Sequence, residues 1–249
     1  MSVLAFVMGA VFGSFTNVLI HRIPRGESVV WPPSRCPSCG HRLRWWENVP
    51  LLSFAILRGR CAACSAPISW RYPLVELLVA LLFTYAWVRH GPGWDALGTA
   101  ALGMLLVAVF FIDLEHHIVP DRITLPGMVL GLVLSLARGG LEGFTEALLS
   151  GAGAGGALLV VALVSPGGMG GGDIKLAAML GCFLGWPGIV VGMFLGVLLG
   201  GLAALVLLLS GRKGRKDLIP FGPALALGGF VGMEWGSQLL STYLRLFGP

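Results

Sequence analysis

A chain of 249 residues in which 56% of side chains are hydrophobic and only 12% are charged is far more apolar than a soluble domain, where charged residues make up about 25%. The composition describes an integral, multi-pass membrane protein. The formal net charge of +5 then reflects how basic residues are distributed across a bilayer, and it gives no licence for a nucleic-acid reading.

The first apolar run, residues 3–20, has no basic stretch before it and no A-x-A cleavage pattern, and it ends on Asn17, His21 and Arg22. It reads as a retained first span and not as a removed signal peptide. Residues 21–71 are the only sizeable aqueous segment. Further runs near the length of a membrane-crossing helix cover 72–88, 96–112, 144–164, 189–209 and 221–246, with two shorter ones at 123–137 and 174–185. If all eight cross, alternate loops divide the Lys and Arg residues into fourteen on one side and three (Arg89, Arg138 and Arg245) on the other. The positive-inside rule makes the richer side cytoplasmic and leaves both termini outside. Dropping either short run breaks the alternation, so both are kept.

The expected fold is therefore an all-α polytopic membrane protein of about eight transmembrane helices. Residues 1–20 are the first helix, 21–71 a small cytoplasmic loop domain, and 72–249 the membrane core. Small residues at four-residue spacing, Gly9 and Gly13, Gly127 and Gly131, and Gly192, Gly196 and Gly200, suit close helix packing and are assigned no chemistry. Trp31, Trp45, Trp46 and Trp70 read as an interfacial belt or as the core of the small domain.

The aqueous segment carries RCPSCG and RCAACS, which set Cys36 and Cys39 against Cys61 and Cys64. Two C-x-x-C pairs at this separation match a tetrahedral zinc site, and the four protein ligands leave no open position, so the metal's role is structural. A cytoplasmic location disfavours disulfides, and a segment of this size needs a staple because it builds little core of its own. Cys182, inside an apolar run, reads as a small hydrophobe.

Two carboxylates border apolar spans on one side. Asp113 ends the uninterrupted stretch ALGTAALGMLLVAVFFI, and Asp173 follows the glycines of GGMGGG and opens IKLAAML. Each alone could be a helix-end charge. Brought together, they form a pair in which one member holds a proton while the other is ionised, the working state of an aspartyl protease. Gly170, Gly171 and Gly172 then let a substrate backbone approach. In DLEHHIVPD, the adjacent His116 and His117 point to different faces of a helix and read as interfacial polar groups. Asp121, after Pro120, reads as a cap for the next helix, and Lys175 as a side chain reaching for the cytoplasm.

These stretches, with FGSFTNVLIHRIP, ENVPLLSFAILRGRC, ISWRYPLVELL, IDLEHHIVPDRITLP and GMGGGDIKLAAMLG, resemble the type IV prepilin leader peptidases, intramembrane aspartyl proteases with a GxGD motif. The resemblance implies a multi-pass enzyme of the bacterial inner membrane, with its zinc loop and active site on the cytoplasmic side. It implies removal of a short basic leader from prepilins or pseudopilins of type IV pilus and type II secretion systems, with Asp113 and Asp173 catalytic. It further implies N-methylation of the new terminus with S-adenosylmethionine, a donor for which the sequence shows no glycine-rich loop after a strand. One departure is Gly167, where many relatives have an acid. The basic RKGRK run suits anionic lipid headgroups, and Glu115 and Asp121 are candidates to receive the leader's charge. The competing readings are a peptidase without methyl transfer, and a zinc-sensing or transporting membrane protein.

Overall fold

The computed structural model describes residues 1–165, 169–211 and 220–247. Gly167 and the RKGRK run lie outside the described residues. Among the described residues the chain is helical and has no strand. Its helices are α1 (Ser2–Arg22), the short α2 (Leu52–Ile56), α3 (Arg71–His90), α4 (Trp94–His116), α5 (Asp121–Val164), α6 (Gly171–Leu209) and α7 (Gly222–Phe247). Five helices, α1, α3, α4, α5 and α6, are long and apolar enough to cross a membrane. Leu4, Leu81, Val133, Phe194 and Leu205 are exposed on them, and extended apolar surface of this kind marks contact with lipid.

α5 and α6 contain 44 and 39 residues, against about 20 for one crossing. Both double back. Gly140 has φ 60° and ψ −147°, and Gly185 has φ 60° and ψ −172°, conformations a glycine reaches without a side-chain clash. Gly131 and Gly151 both lie against Cys182, yet a straight helix would separate them by about 30 Å. In the same way Leu180 and Gly192 both pack against Gly229, so α6 reverses around Gly185. The short runs at 123–137 and 174–185 are the first limbs of these two hairpins.

The chain forms two compact units, Met1–Ala108 and Val109–Pro249. In the first, α1 lies on α3 through small residues: a Cβ on Gly9 would sit 2.7 Å from Ala80 Cα, and one on Gly13 would sit 2.6 Å from Glu76 Cα. Asn17 Nδ2 donates to the Tyr72 carbonyl at 3.0 Å. Leu51, which has a positive φ, donates its N–H to Glu76 Oε2 at 2.8 Å, which ties the aqueous segment to α3.

In the second unit the outer limb of α6 runs antiparallel to α7. Gly188 faces Gly232, Gly192 faces Gly228, and Gly196 and Gly200 face Leu225 and Phe221. The four-residue glycine spacing therefore serves backbone-to-backbone packing, as expected. Ile112, Ile123, Leu176, Met179, Leu180 and Leu225 are buried in this unit.

Candidate active site and metal centre

The cysteine module is made of two knuckles with the same backbone plan. In the first, Cys36 N–H donates to the His41 carbonyl and Gly40 N–H to the Cys36 carbonyl, each at 2.9 Å. In the second, Cys61 N–H donates to Ala66 and Ser65 N–H to Cys61, again at 2.9 Å. Each turn needs a left-handed residue after its second cysteine: Gly40 at φ 72° and Ser65 at φ 59°. Single antiparallel bridges, Arg35 to Arg42 and Arg60 to Pro67, close the knuckles. Glu47 Oε2 braces the first knuckle by accepting from Arg44 N–H at 2.7 Å and lying 3.0 Å from His41 Nε2. The Arg44 N–H, with His41 beside it, holds the Glu47 carboxyl below its usual range.

The four sulfurs lie within 4.8 Å of one another, with Cys36 and Cys64 3.9 Å apart and Cys39 and Cys61 4.0 Å apart. A zinc tetrahedron with bonds of about 2.3 Å has edges of about 3.8 Å, so the donor set fits such an ion in both chemistry and spacing. The N–H of Cys39 holds the Cys36 thiol down to about 6. His41 N–H also pulls Cys39 down, but proton sharing with Cys64 and the other thiols pushes it up to about 12. Sulfurs this crowded must be separated by shared protons or by a cation. Trp31, Trp45 and Trp70 are exposed. They do not form a domain core, although Phe54 lies against Trp70, the rings tilted by 59° with centroids 4.8 Å apart.

Both aspartates belong to the second unit. Asp113 lies near the C-terminus of α4 and is buried, 4% exposed. Its Oδ2 accepts the backbone N–H of Gly222, the first residue of α7, at 2.8 Å. The positive end of the α7 dipole therefore faces the carboxylate. A Cβ on Gly222 would come within 2.7 Å of that oxygen, so the contact depends on glycine.

Asp173 is the third residue of α6, whose N-cap is Gly170. It is partly exposed, and it is close enough to Asp113 for the two charges to interact. Both sequence-predicted aspartates thus lie in this unit within electrostatic reach of each other, Asp113 buried and Asp173 half-buried.

The three glycines before Asp173 divide in use. Gly171 faces open space and Gly170 meets the Asp173 carboxyl and the Gly172 backbone nitrogen, whereas a Cβ on Gly172 would come within 2.9 Å of Val119. Asp121 caps nothing: Pro120 is the α5 N-cap and no side chain bonds there. Lys175 Nζ instead lies 2.7 Å from both Asp121 oxygens. Sequence reasoning missed Gly222, Glu47, Glu76 and this ion pair. Only Pro220 and Pro223 around Gly222 signal a helix start, and neither proline says which side chain that start faces.

Fold and site define a helical membrane protein with a four-cysteine cluster able to hold a metal ion and two carboxyls within electrostatic reach. A family model for the bacterial peptidase A24 N-terminal domain matches residues 7–90, and one for the type IV leader peptidase family matches residues 100–205. The chain is 39% identical over 274 residues to a prepilin leader peptidase/N-methyltransferase of Aeromonas hydrophila, covering 98% of this chain and 94% of that protein. It is 37% identical over 279 residues to the protein of the same name from Pseudomonas aeruginosa, covering 98% and 96%. It is 42% identical over 222 residues to that of Myxococcus xanthus, covering 86% of this chain and 66% of that one. The chain belongs to the type IV leader peptidase family. No solved structure matches it.

Proposed function

We propose that this protein is a membrane aspartyl endopeptidase that removes the leader of type IV prepilins and pseudopilins with Asp113 and Asp173, and then N-methylates the new terminus. What supports the peptidase reading is that two carboxyls 60 residues apart in sequence lie within electrostatic reach of each other, Asp113 fixed by Gly222 N–H and Asp173 half-buried. When the two carboxyls close on a substrate, like charges do not both ionise cheaply, so the pair holds one proton between them. The ionised member takes a proton from the attacking water while the protonated member polarises the peptide carbonyl. No covalent intermediate is needed. Gly170, Gly171 and Gly172 border Asp173, and the first two leave room for an extended substrate backbone. Both aspartates fall in the 72–249 segment, which we assign as the peptidase core, with 21–71 as the cysteine domain.

Kinship supports the client and the second activity, because the relatives are named prepilin leader peptidase/N-methyltransferase. S-adenosylmethionine is the donor the family resemblance implies. Among the described residues no strand is followed by a glycine-rich loop and a helix, and the methyl transfer rests on the relatives. Zinc is the ion we assign to Cys36, Cys39, Cys61 and Cys64, as a structural staple.

We also propose eight crossings. With α5 and α6 counted as two limbs each, the long helices become eight segments, and the charge asymmetry then sets the cysteine domain and the aspartates on the cytoplasmic face of the inner membrane. The limb 171–184 spans roughly 21 Å, short of the hydrocarbon core of about 30 Å.

The test is a purified-protein assay with a model prepilin and a labelled methyl donor, resolved by mass. The wild type should yield cleaved and methylated product, and Asp113→Asn and Asp173→Asn should yield neither while keeping their zinc. Cleavage surviving in both variants would remove the mechanism.

A further inference from the structure

The Asp121–Lys175 ion pair is unexplained by stability. Its partners are 53% and 42% exposed, and an exposed pair contributes about 0–1 kcal/mol. Its position is more informative than its strength. Asp121 opens α5 and Lys175 lies in the second turn of α6, so the pair straps the starts of two helices together. The connection between α4 and α5 touches α6 at a second point, where Val119 covers Gly172. Asp113 precedes this connection on α4, and Asp173 lies between Gly172 and Lys175 on α6.

The Asp173 carboxyl is held by the Gly170 N–H three residues before it, a contact that turns with the helix start and so does not fix the rotation of that start against α4. Asp173 sits in the first turn of α6, and its own N–H is bonded only to the neighbouring Gly170 carbonyl, at 3.1 Å. Gly170, Gly171 and Gly172 before it have no side chains with which to grip a neighbour. Successive helical residues turn by about 100°, so Lys175 projects roughly opposite to Asp173. A hold on Lys175 therefore fixes the rotation of this turn from behind without entering the site. The Val119 contact limits how far the turn can shift, and the ion pair sets its azimuth.

We infer that Asp121 and Lys175 are positioning residues for the peptidase reaction: their ion pair holds the first turn of α6 at the rotation that aims Asp173 at Asp113. The inference rests on the reading of Asp113 and Asp173 as the catalytic pair. It also changes the part Asp121 plays. With its carboxylate already neutralised by Lys175, Asp121 is a strap and not a receptor for a basic leader.

The experiment is steady-state cleavage of a model prepilin by the full chain in lipid vesicles, together with thermal melting. The variants are Asp121→Asn, Lys175→Gln, Lys175→Arg, the exchanged pair Asp121→Lys with Lys175→Asp, and Asp173→Asn. The two neutral variants should lose about tenfold or more in kcat, because a misplacement of about 1 Å is enough for such losses. Their KM should stay within about twofold and their melting should be unchanged. Lys175→Arg and the exchanged pair should recover most of the rate. If Asp121→Asn does not fold, Lys175→Gln and the exchanged pair decide the matter.

Wild-type kcat in the neutral variants overturns the inference. So does a raised KM with unchanged kcat, which would make Asp121 a contact for the substrate, and so does an exchanged pair no faster than the single variants. Asp173→Asn separates the two levels. If it cleaves, the catalytic reading itself fails; if it is inactive while the neutral variants run at wild-type rate, only the strap fails.

Discussion

The cysteine module and the aspartate pair solve the same problem, gathering like-charged ligands or acids at one point, by opposite means. The module draws its four sulfurs from residues 36–64, and each knuckle is built by hydrogen bonds within six residues of chain. Its geometry is local and repeated. The aspartate pair instead joins the end of α4 to the start of α6, and its firmest anchor, Gly222, lies 109 positions beyond Asp113. The first kind of site, if it holds the zinc we assign to it, should yield to removal of that metal. The second should yield to small displacements of helices that never touch a substrate.

The largest effect follows from stripping the metal. Treatment with a chelator, or Cys36→Ser, should open the module, since structural zinc contributes roughly 10–16 kcal/mol in isolated zinc-finger peptides. Trypsin should then cut rapidly at Arg42, Arg44, Arg58 and Arg60, and restored zinc should protect them. Equal digestion with and without metal would mean that the knuckles hold themselves and that the contrast with the aspartates is misplaced.

A smaller but specific effect is expected at Gly222. Valine there puts a Cβ against Asp113 Oδ2 and pushes the α7 N–H away from it. Overpacking costs about 1–3 kcal/mol, visible as a lower melting temperature, and kcat should fall by about tenfold to a hundredfold. A valine variant cleaving at the wild-type rate would detach α7 from the site.

The smallest expected change is a gain. Ser65 occupies the left-handed position that Gly40 fills in the first knuckle, so Ser65→Gly should relieve up to about 1 kcal/mol of backbone strain and slow metal release to a chelator. Faster release would mean that the two knuckles are not equivalent.

This contrast also decides what could be read from the sequence. C-x-x-C twice over is a complete description of a local ligand set, and the structure gathers the same four cysteines. Asp113 and Asp173 were legible because a charge beside a long apolar run is costly and therefore conspicuous. Their partners were not. Gly222 contributes only a backbone N–H, which any residue other than proline carries, and Lys175 met Asp121 because of how two helix starts pack. Asp121 was expected as a cap on local grounds, and a contact 54 residues away took its side chain instead. The hairpins at Gly140 and Gly185 show the same division. The apolar runs on either side were visible, whereas the single residues that reverse the chain look like any other glycine among the 38 in the sequence.

The central claim is that Asp113 and Asp173 act as one unit, and a double-mutant cycle on prepilin cleavage tests it most directly. Residues that share one catalytic function are strongly non-additive, so Asp113→Asn, Asp173→Asn and the double variant should all fall to the same residual rate. If the two losses instead multiply in the double variant, or if either single variant cleaves at near the wild-type rate, the carboxyls work separately and the account of a proton-sharing pair is wrong.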